Sequence, residues 1–331
     1  MPSNVLWLSR ADVESLGITM RELMDEIETG FAALGRGEVE LPAKIGVHPR
    51  PDSFVHAMPA HIRGDIDACG VKCVCGFPAN SKRGLPALSG IFTLIDADTG
   101  MVRAVMEAAW LTAWRTGAAS GVYARHFASQ NARTVAFIGL GVQARVHLRA
   151  LAEVFPALAE VRTLGHAPEH GPRFEADTAA LVPGARFVHC GNAQQAVEGA
   201  DVIVTCTPLS TNPRRFIKAE WLKADSLAIA VDYDAAFEAG VMAQADSFVT
   251  DDANQYLRAR AAGPYFQNGY PGAVHADMHA TFGRGESVRT GCIRPGIDIW
   301  TIGEFVLIEF VGVDLVRKRD AATGFELLAP K

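Results

Sequence analysis

No stretch of this 331-residue chain carries the roughly 20 consecutive apolar residues that a membrane span needs. Its opening, MPSNVLWLSRADVESLGITM, has neither the basic head nor the long apolar stretch of a secretory signal, so a cytoplasmic location is expected. Basic charge is also lacking. Asp and Glu outnumber Lys and Arg by 37 to 31, for a formal charge of -6, which argues against nucleic acid or an anionic membrane as partner. Cysteine is sparse, with six thiols set among apolar residues, as expected of reduced buried cysteines. The cluster Cys69, Cys73 and Cys75 lacks CxxC spacing, and no second Cys/His pair completes a tetrad, so no metal is expected there. There is no internal repeat and no low-complexity segment.

What is present suffices for two domains, each with its own core: 49% of the residues are hydrophobic and 21% charged. Thr19 to Leu34 predicts a helix, with capping-box spacing at Thr19 and Glu22 and apolar residues at helical intervals. From Pro42 to Ile95 the pattern changes to extended segments (KIGVHP, FVHAMPA, GVKCVCGFP, GIFTLID), with DADTG as a turn, giving an α+β region with a mostly antiparallel sheet. A helix rich in small residues is expected from Ala108 to Phe127. Strands and helices then alternate: TVAFIGL, a helix through Val154, VRTLG, a helix around Phe174 to Leu181, RFVHC, ADVIVTCTP, LAIAVDYD and ADSFVTDD. That rhythm predicts a doubly wound α/β domain with a parallel sheet. Trp300 to Lys331 reads as one long apolar helix and a tail. His275, Asp277 and His279 in VHADMHA fit no strong metal motif and read as a polar loop closing over a ligand.

The segment VAFIGLGVQARVHL places Gly139, Gly141 and Ala144 between a strand and a helix, the context of the GxGxxA dinucleotide fingerprint. The first glycine makes the tight turn, the second admits the pyrophosphate, and Ala144 lets the helix pack close to the strand. Val142 and Gln143 complete the loop. The helix N-terminus offers N–H groups and partial positive charge to phosphate. At the end of the second strand, where NAD-specific sites place an acid, the chain reads Thr163-Leu164-Gly165-His166. His166 or Arg173 can meet the 2′-phosphate of NADP or lie in a solvated turn, so NAD and NADP both stay open.

Three charged residues stand out elsewhere. Lys72 lies in mid-strand between Val71 and Cys73; it either turns outward to water or is buried for acid/base work on an amine or carbonyl. Arg115, in LTAWRTGAASG, is a surface helix arginine or a bidentate fork for a carboxylate. Asp232 ends a very apolar strand, at the sheet end where ligands bind, though it, Asp234 or Glu238 can equally serve as a turn or helix cap.

Together these segments resemble the ornithine cyclodeaminase/mu-crystallin family of NAD(P)-dependent proteins. The likeness rests on GVKCVCGFPANSKRGLPALSGIFTLIDADTGMVRAVMEAAWLTAWRTGAAS, on AFIGLGVQARVHLRAL and on ADVIVTCTP. It implies a substrate and dimerisation domain from residues 1–115 and 314–331, a Rossmann domain from residues 116–313, and a homodimer. It further implies Lys72 and Asp232 as catalytic residues, Arg115 as the holder of the substrate α-carboxylate, and Thr116 at a helix start meeting the cofactor phosphates. Thr205 and Thr207 follow on the cofactor side. Lys44 stands where many members have a carboxylate-binding arginine. Met58 and His56 fall in the substrate-side segment, where ornithine-acting members are expected to carry an acid. With Lys44 and Arg50 nearby, a ketimine, a keto acid or an acidic amino acid suits such a basic pocket better than an ammonium does. After Asp232 the chain departs from the family's Pro-Gly-Lys turn, reading Tyr233-Asp234-Ala235-Ala236.

The function implied is hydride exchange with the α-carbon of an imino or amino acid, as an imine reductase or amino-acid dehydrogenase. Ornithine cyclodeaminase, with recycled NAD and release of ammonia, is the alternative. A non-catalytic NAD(P)-binding protein is the second alternative, and a purely structural role has no use for the glycine loop.

Overall fold

Thr19 and Glu22 cap each other's backbone N–H groups, and from them helix α2 (Met20–Gly35) runs with Met20, Leu23, Met24, Ile27 and Phe31 buried. The computed structural model describes residues 5–42, 44–64, 66–209, 212–263, 265–267, 269–274, 276–277 and 297–301. Its contacts fall into two units that divide between Arg115 and Thr116.

The first unit adds an unforeseen start, strand β1 (Leu6–Leu8) and helix α1 (Arg10–Ser15), the latter opened by a Ser9–Asp12 capping box. Its sheet comprises β1, β2 (Val39–Glu40), β3 (Ile45–Val47), β4 (Phe54–Ile62), β5 (Ala68–Gly76), β6 (Leu88–Ile95) and β7 (Val102–Glu107), ordered β1-β7-β6-β5-β4-β2 with β3 on β4. All pairs but β1–β7 are antiparallel, in line with the sequence pattern. The pleat of β5 alternates strictly. Ala68, Gly70, Lys72, Val74 and Gly76 are buried, and Cys69, Val71, Cys73 and Cys75 are half-buried on the opposite face. Helix α3 (Ala109–Phe127) opens on Glu107, whose carboxylate accepts from the N–H groups of Ala109 (2.7 Å) and Trp110 (3.1 Å).

The second unit is built on eight parallel strands: β8 (Thr134–Ile138), β9 (Glu160–Leu164), β10 (Arg186–His189), β11 (Val202–Thr205), β12 (Ser226–Ala230), β13 (Ser247–Thr250), β14 (Ala276–Asp277) and β15 (Ile297–Thr301). Their order is β10-β9-β8-β11-β12-β15-β13-β14. Every residue of β11 and β12 is buried, as strands covered on both faces require. Helices α4 (Val142–Val154), α5 (His170–Thr178), α6 (Ala193–Val197), α7 (Ala239–Gln244) and α8 (Ala253–Ala262) connect them. Strand order reverses between β8 and β11, the switch point where doubly wound sheets bind ligands.

Three expectations are corrected. The helix placed at Phe174 to Leu181 begins four residues earlier, at His170, and ends in a 3₁₀ turn at Ala179–Leu181. Trp300 and Thr301 do not open a helix. They end β15, which sits between β12 and β13, and a short apolar run carries no period that separates strand from helix. Residues 302–331 lie outside the described residues. Within VHADMHA, Ala276 and Asp277 form β14 rather than a loop, while His275 and His279 lie outside the described residues.

Candidate functional site

In the first unit, one register row crosses the sheet: Met58, Lys72, Phe92 and Met106, each 0–1% exposed. The Lys72 side chain therefore faces inward, among apolar neighbours on both flanking strands. An ammonium in such a place needs partners, and its burial singles it out for chemistry rather than solubility. His56 shares this face. Its ring stacks on Phe54 (centroids 4.3 Å apart) and lies over Gly46, where an added Cβ would meet His56 Cδ2 at 2.4 Å. Lys44 is half-buried immediately before β3, whose Ile45 pairs with Ala57, so the register sets it toward the Met58 row.

Arg115 is 5% exposed inside α3, and among the described residues its Nε and Nη1 have no hydrogen-bond partner. A buried guanidinium with unmet donors calls for an anion such as a carboxylate. Thr116 is also buried, but it sits in the body of α3 and not at a helix start. Its N–H belongs to the helical ladder.

In the second unit, the glycine loop is built as the fingerprint requires. Gly139 has φ +87°, and an added Cβ would lie 2.5 Å from the carbonyl oxygen of Cys206 at the end of β11. Gly141 is the N-cap of α4, makes no side-chain cap bond, and has open space where a Cβ would point. The first-turn N–H groups of α4 thus face a place with room for phosphate. Ala144 is fully buried, Val142 is exposed, and Gln143 Oε1 is buried with no hydrogen-bond partner among the described residues. Sequence reasoning missed Arg145. Its Nη1 donates to the carbonyls of Leu140 (2.6 Å) and Gly141 (2.9 Å), while Nε and Nη2 hold Asp177 on α5. This clamp fixes the loop's carbonyls away from its N–H groups.

Asp232, two residues past β12, is 2% exposed. Its Oδ1 accepts from Thr205 Oγ1 (2.6 Å), and its Oδ2 from Thr207 N (2.9 Å) and Oγ1 (2.5 Å). Burial pushes its carboxyl above the ordinary carboxylate range, opposed by those three bonds. Both threonine hydroxyls thus donate to Asp232. Asp234 is no exposed cap either: it is buried, ion-paired to Arg215, and accepts from Phe266 N. His166 is exposed two residues past β9 and Arg173 is exposed on α5, and the first acid after β9 is Glu169.

A family model described as ornithine cyclodeaminase/mu-crystallin matches residues 4–281 of this sequence. The chain belongs to the ornithine cyclodeaminase/mu-crystallin family. Among its relatives, nodulation efficiency protein NfeD of Rhizobium meliloti is 33% identical over 261 residues, 77% of this chain and 78% of that protein. The alanine dehydrogenase of Archaeoglobus fulgidus is 31% identical over 288 residues, 84% of this chain and 83% of that enzyme. A solved archaeal alanine dehydrogenase dimer with bound NAD superimposes with a TM-score of 0.81 at 26% identity, covering 97% of each chain. The parallel-sheet unit thus shares the fold of this family's NAD-binding dehydrogenases.

Proposed function

We propose that this protein is an NAD(P)-dependent oxidoreductase that exchanges a hydride with the α-carbon of an amino or imino acid. The observation that carries the reading is Arg115, a buried guanidinium with two hydrogen-bond donors lacking partners among the described residues. An anion answers both its charge and its unmet donors, and the α-carboxylate is the anion common to amino and imino acids. Lys44 assists it at the carboxylate, and Met58 and His56 line the side-chain end of the substrate. Lys72 donates a proton to, or polarises, the imine or carbonyl. Asp232 exchanges a proton with the substrate nitrogen or with an attacking water.

The glycine loop fits a dinucleotide, because Gly141 leaves space over the uncapped start of α4. Gly139, Gly141, Val142, Gln143 and Ala144 would hold its pyrophosphate, with Thr116 and His166 as further contacts. When bound, the nicotinamide supplies or accepts the hydride. The alanine dehydrogenases among the relatives support this chemistry, and the NAD in the solved one supports the cofactor. That enzyme is a dimer, and an exposed apolar sheet face in the first unit supports the same state here. The five described cysteines are free thiols, in keeping with a reducing, cytoplasmic setting.

The test offers NADH and NADPH separately to the purified protein, each with cyclic imines and with α-keto acids plus ammonia. L-ornithine with a trace of NAD⁺ is assayed alongside for ammonia. Net oxidation of reduced cofactor is expected, and Arg115→Gln should raise KM for the carboxylate substrate by roughly 10²-fold, the worth of about 3 kcal/mol of charge-assisted hydrogen bonding. Ammonia from ornithine without net cofactor change assigns a cyclodeaminase instead. Silence in both arms with tight cofactor binding points to another substrate or to a binding protein.

A further inference from the structure

Six non-glycine residues among those described have left-handed φ, and three of them meet at one buried carboxylate, that of Asp234. Tyr233 (φ +60°) precedes it in the chain. Arg215 (φ +44°) pairs with it, Nη2 to Oδ2 at 2.5 Å, and also donates from Nε to the Asp234 carbonyl at 3.2 Å. Phe266 (φ +55°) donates its N–H to the same Oδ2 at 2.9 Å. A bulky side chain in the left-handed region is strained and persists only where its surroundings over-determine it.

The strain borders the acid/base candidate directly. Asp232 and Asp234 flank Tyr233, and the Ala235 N–H closes the turn on the Asp232 carbonyl at 3.1 Å. The Tyr233 ring packs edge-on against Tyr265 (5.3 Å) and tilted against Phe266 (5.7 Å). Arg215 lies over the Tyr270 ring at 5.4 Å, and Tyr270 in turn donates to the Phe237 carbonyl at 2.6 Å. Other contacts tie the same segments, among them the Arg215 N–H on the Ala235 carbonyl (3.1 Å) and the Tyr270 ring on Phe266 (5.8 Å), and the Asp234 carboxylate is the charged group on which they converge.

We propose that Asp234 is a positioning residue: its carboxylate locks these segments so that the turn after β12 holds Asp232 in its reactive orientation. The proposal rests on the reading of Asp232 given above. It also accounts for Tyr233-Asp234 following Asp232: a tyrosine needs a clamp to stay left-handed, where a glycine does not.

Asp234→Asn keeps the shape and removes the charge that faces Arg215. We expect its kcat to fall by about 10- to 100-fold, the loss that a misplaced catalytic group produces, with the NADH dissociation constant within about twofold of wild type. Arg215→Lys, which keeps the cation, should recover most of the activity. If Asp234→Asn does not fold, Arg215→Met is read by the same split between kcat and cofactor binding. A folded Asp234→Asn with kcat within about twofold of wild type overturns the proposal, and so does loss of kcat, cofactor affinity and melting temperature in step. Asp232→Asn runs in parallel. If it retains turnover, the reading of Asp232 fails; if it is inactive while Asp234→Asn is unimpaired, only the present proposal fails.

Discussion

At the scale of single residues, the second unit is dominated by one conflict: Asp232 is buried yet held by donors that favour its ionised form. Burial is the larger influence and raises the pKa, while Thr205 and Thr207 pull it down. A carboxyl with a raised folded pKa contributes stability that is fully present below its unfolded value and is lost as pH rises through the folded one. Thr205→Val swaps a hydroxyl for a methyl of the same shape, so the chief loss is the 2.6 Å bond to Oδ1. The Asp232 pKa should then rise further, and the acid limb of the kcat–pH profile should move to higher pH. Stability should fall by more at pH 8, by about 1–2 kcal/mol, than at pH 5, because the lost bond favours the ionised form. Thermal melts of both proteins at the two pH values check the sign. An equal loss at both would mean that Thr205 matters for packing and not for the charge.

At the scale of elements, α3 shows why small residues cluster in TGAASG. An added Cβ at Gly117 would lie 2.7 Å from Val146 Cγ1 and 2.9 Å from the Val146 backbone on α4. Alanine is the better helix former by about 1 kcal/mol, but forcing two helix backbones apart costs about 1–3 kcal/mol. Gly117→Ala should therefore lower the melting temperature by several degrees despite its higher propensity; an unchanged or higher melting temperature would show that the helices yield freely. The same elements show what the sequence made legible. The GxGxxA loop was readable because its chemistry is local: a strand, two glycines and an alanine in fixed order. The fold of β4 to β7 was readable from period-two patterning, and α2 from its cap. Helix α1 carries the same capping signal in Ser9 and Asp12, but six residues are too few to show an apolar period. The inward turn of Lys72 was not decidable, because a pleat gives two faces and only the register with Met58 and Phe92 shows which is covered. The roles of Asp234 and Arg145 were hidden for a different reason. Their partners lie 19 and 32 residues away, at Arg215 and Asp177, and no local pattern announces them.

At the scale of the whole molecule, the sheet of the first unit has a face opposite Lys72 that no single chain of this kind should leave in water. Trp7 (68% exposed), Ile45 (71%), Val47 (62%) and Ile91 (39%) project from it, joined by Val55, Ala57, Val71 and Val105. Isolated exposed apolar residues are ordinary, but six strands contributing one continuous apolar surface mark an interface. The proposed homodimer covers it with the same face of a second copy, a self-complementary arrangement that fits two-fold symmetry. Ile45→Asp tests this where the cost to the monomer is least, since that side chain is already in solvent. The dimer dissociation constant, measured by sedimentation equilibrium, should rise by at least about 10²-fold, because an unpaired charge would be buried at the interface. Cys73 and Cys75 lie on the same face, so they give an independent readout. They should react slowly with a thiol reagent in the wild type and faster in the variant, as pairing no longer shields them. A wild type that sediments as a monomer, or a variant as tightly paired as the wild type with equally slow thiols, would assign this face to another partner.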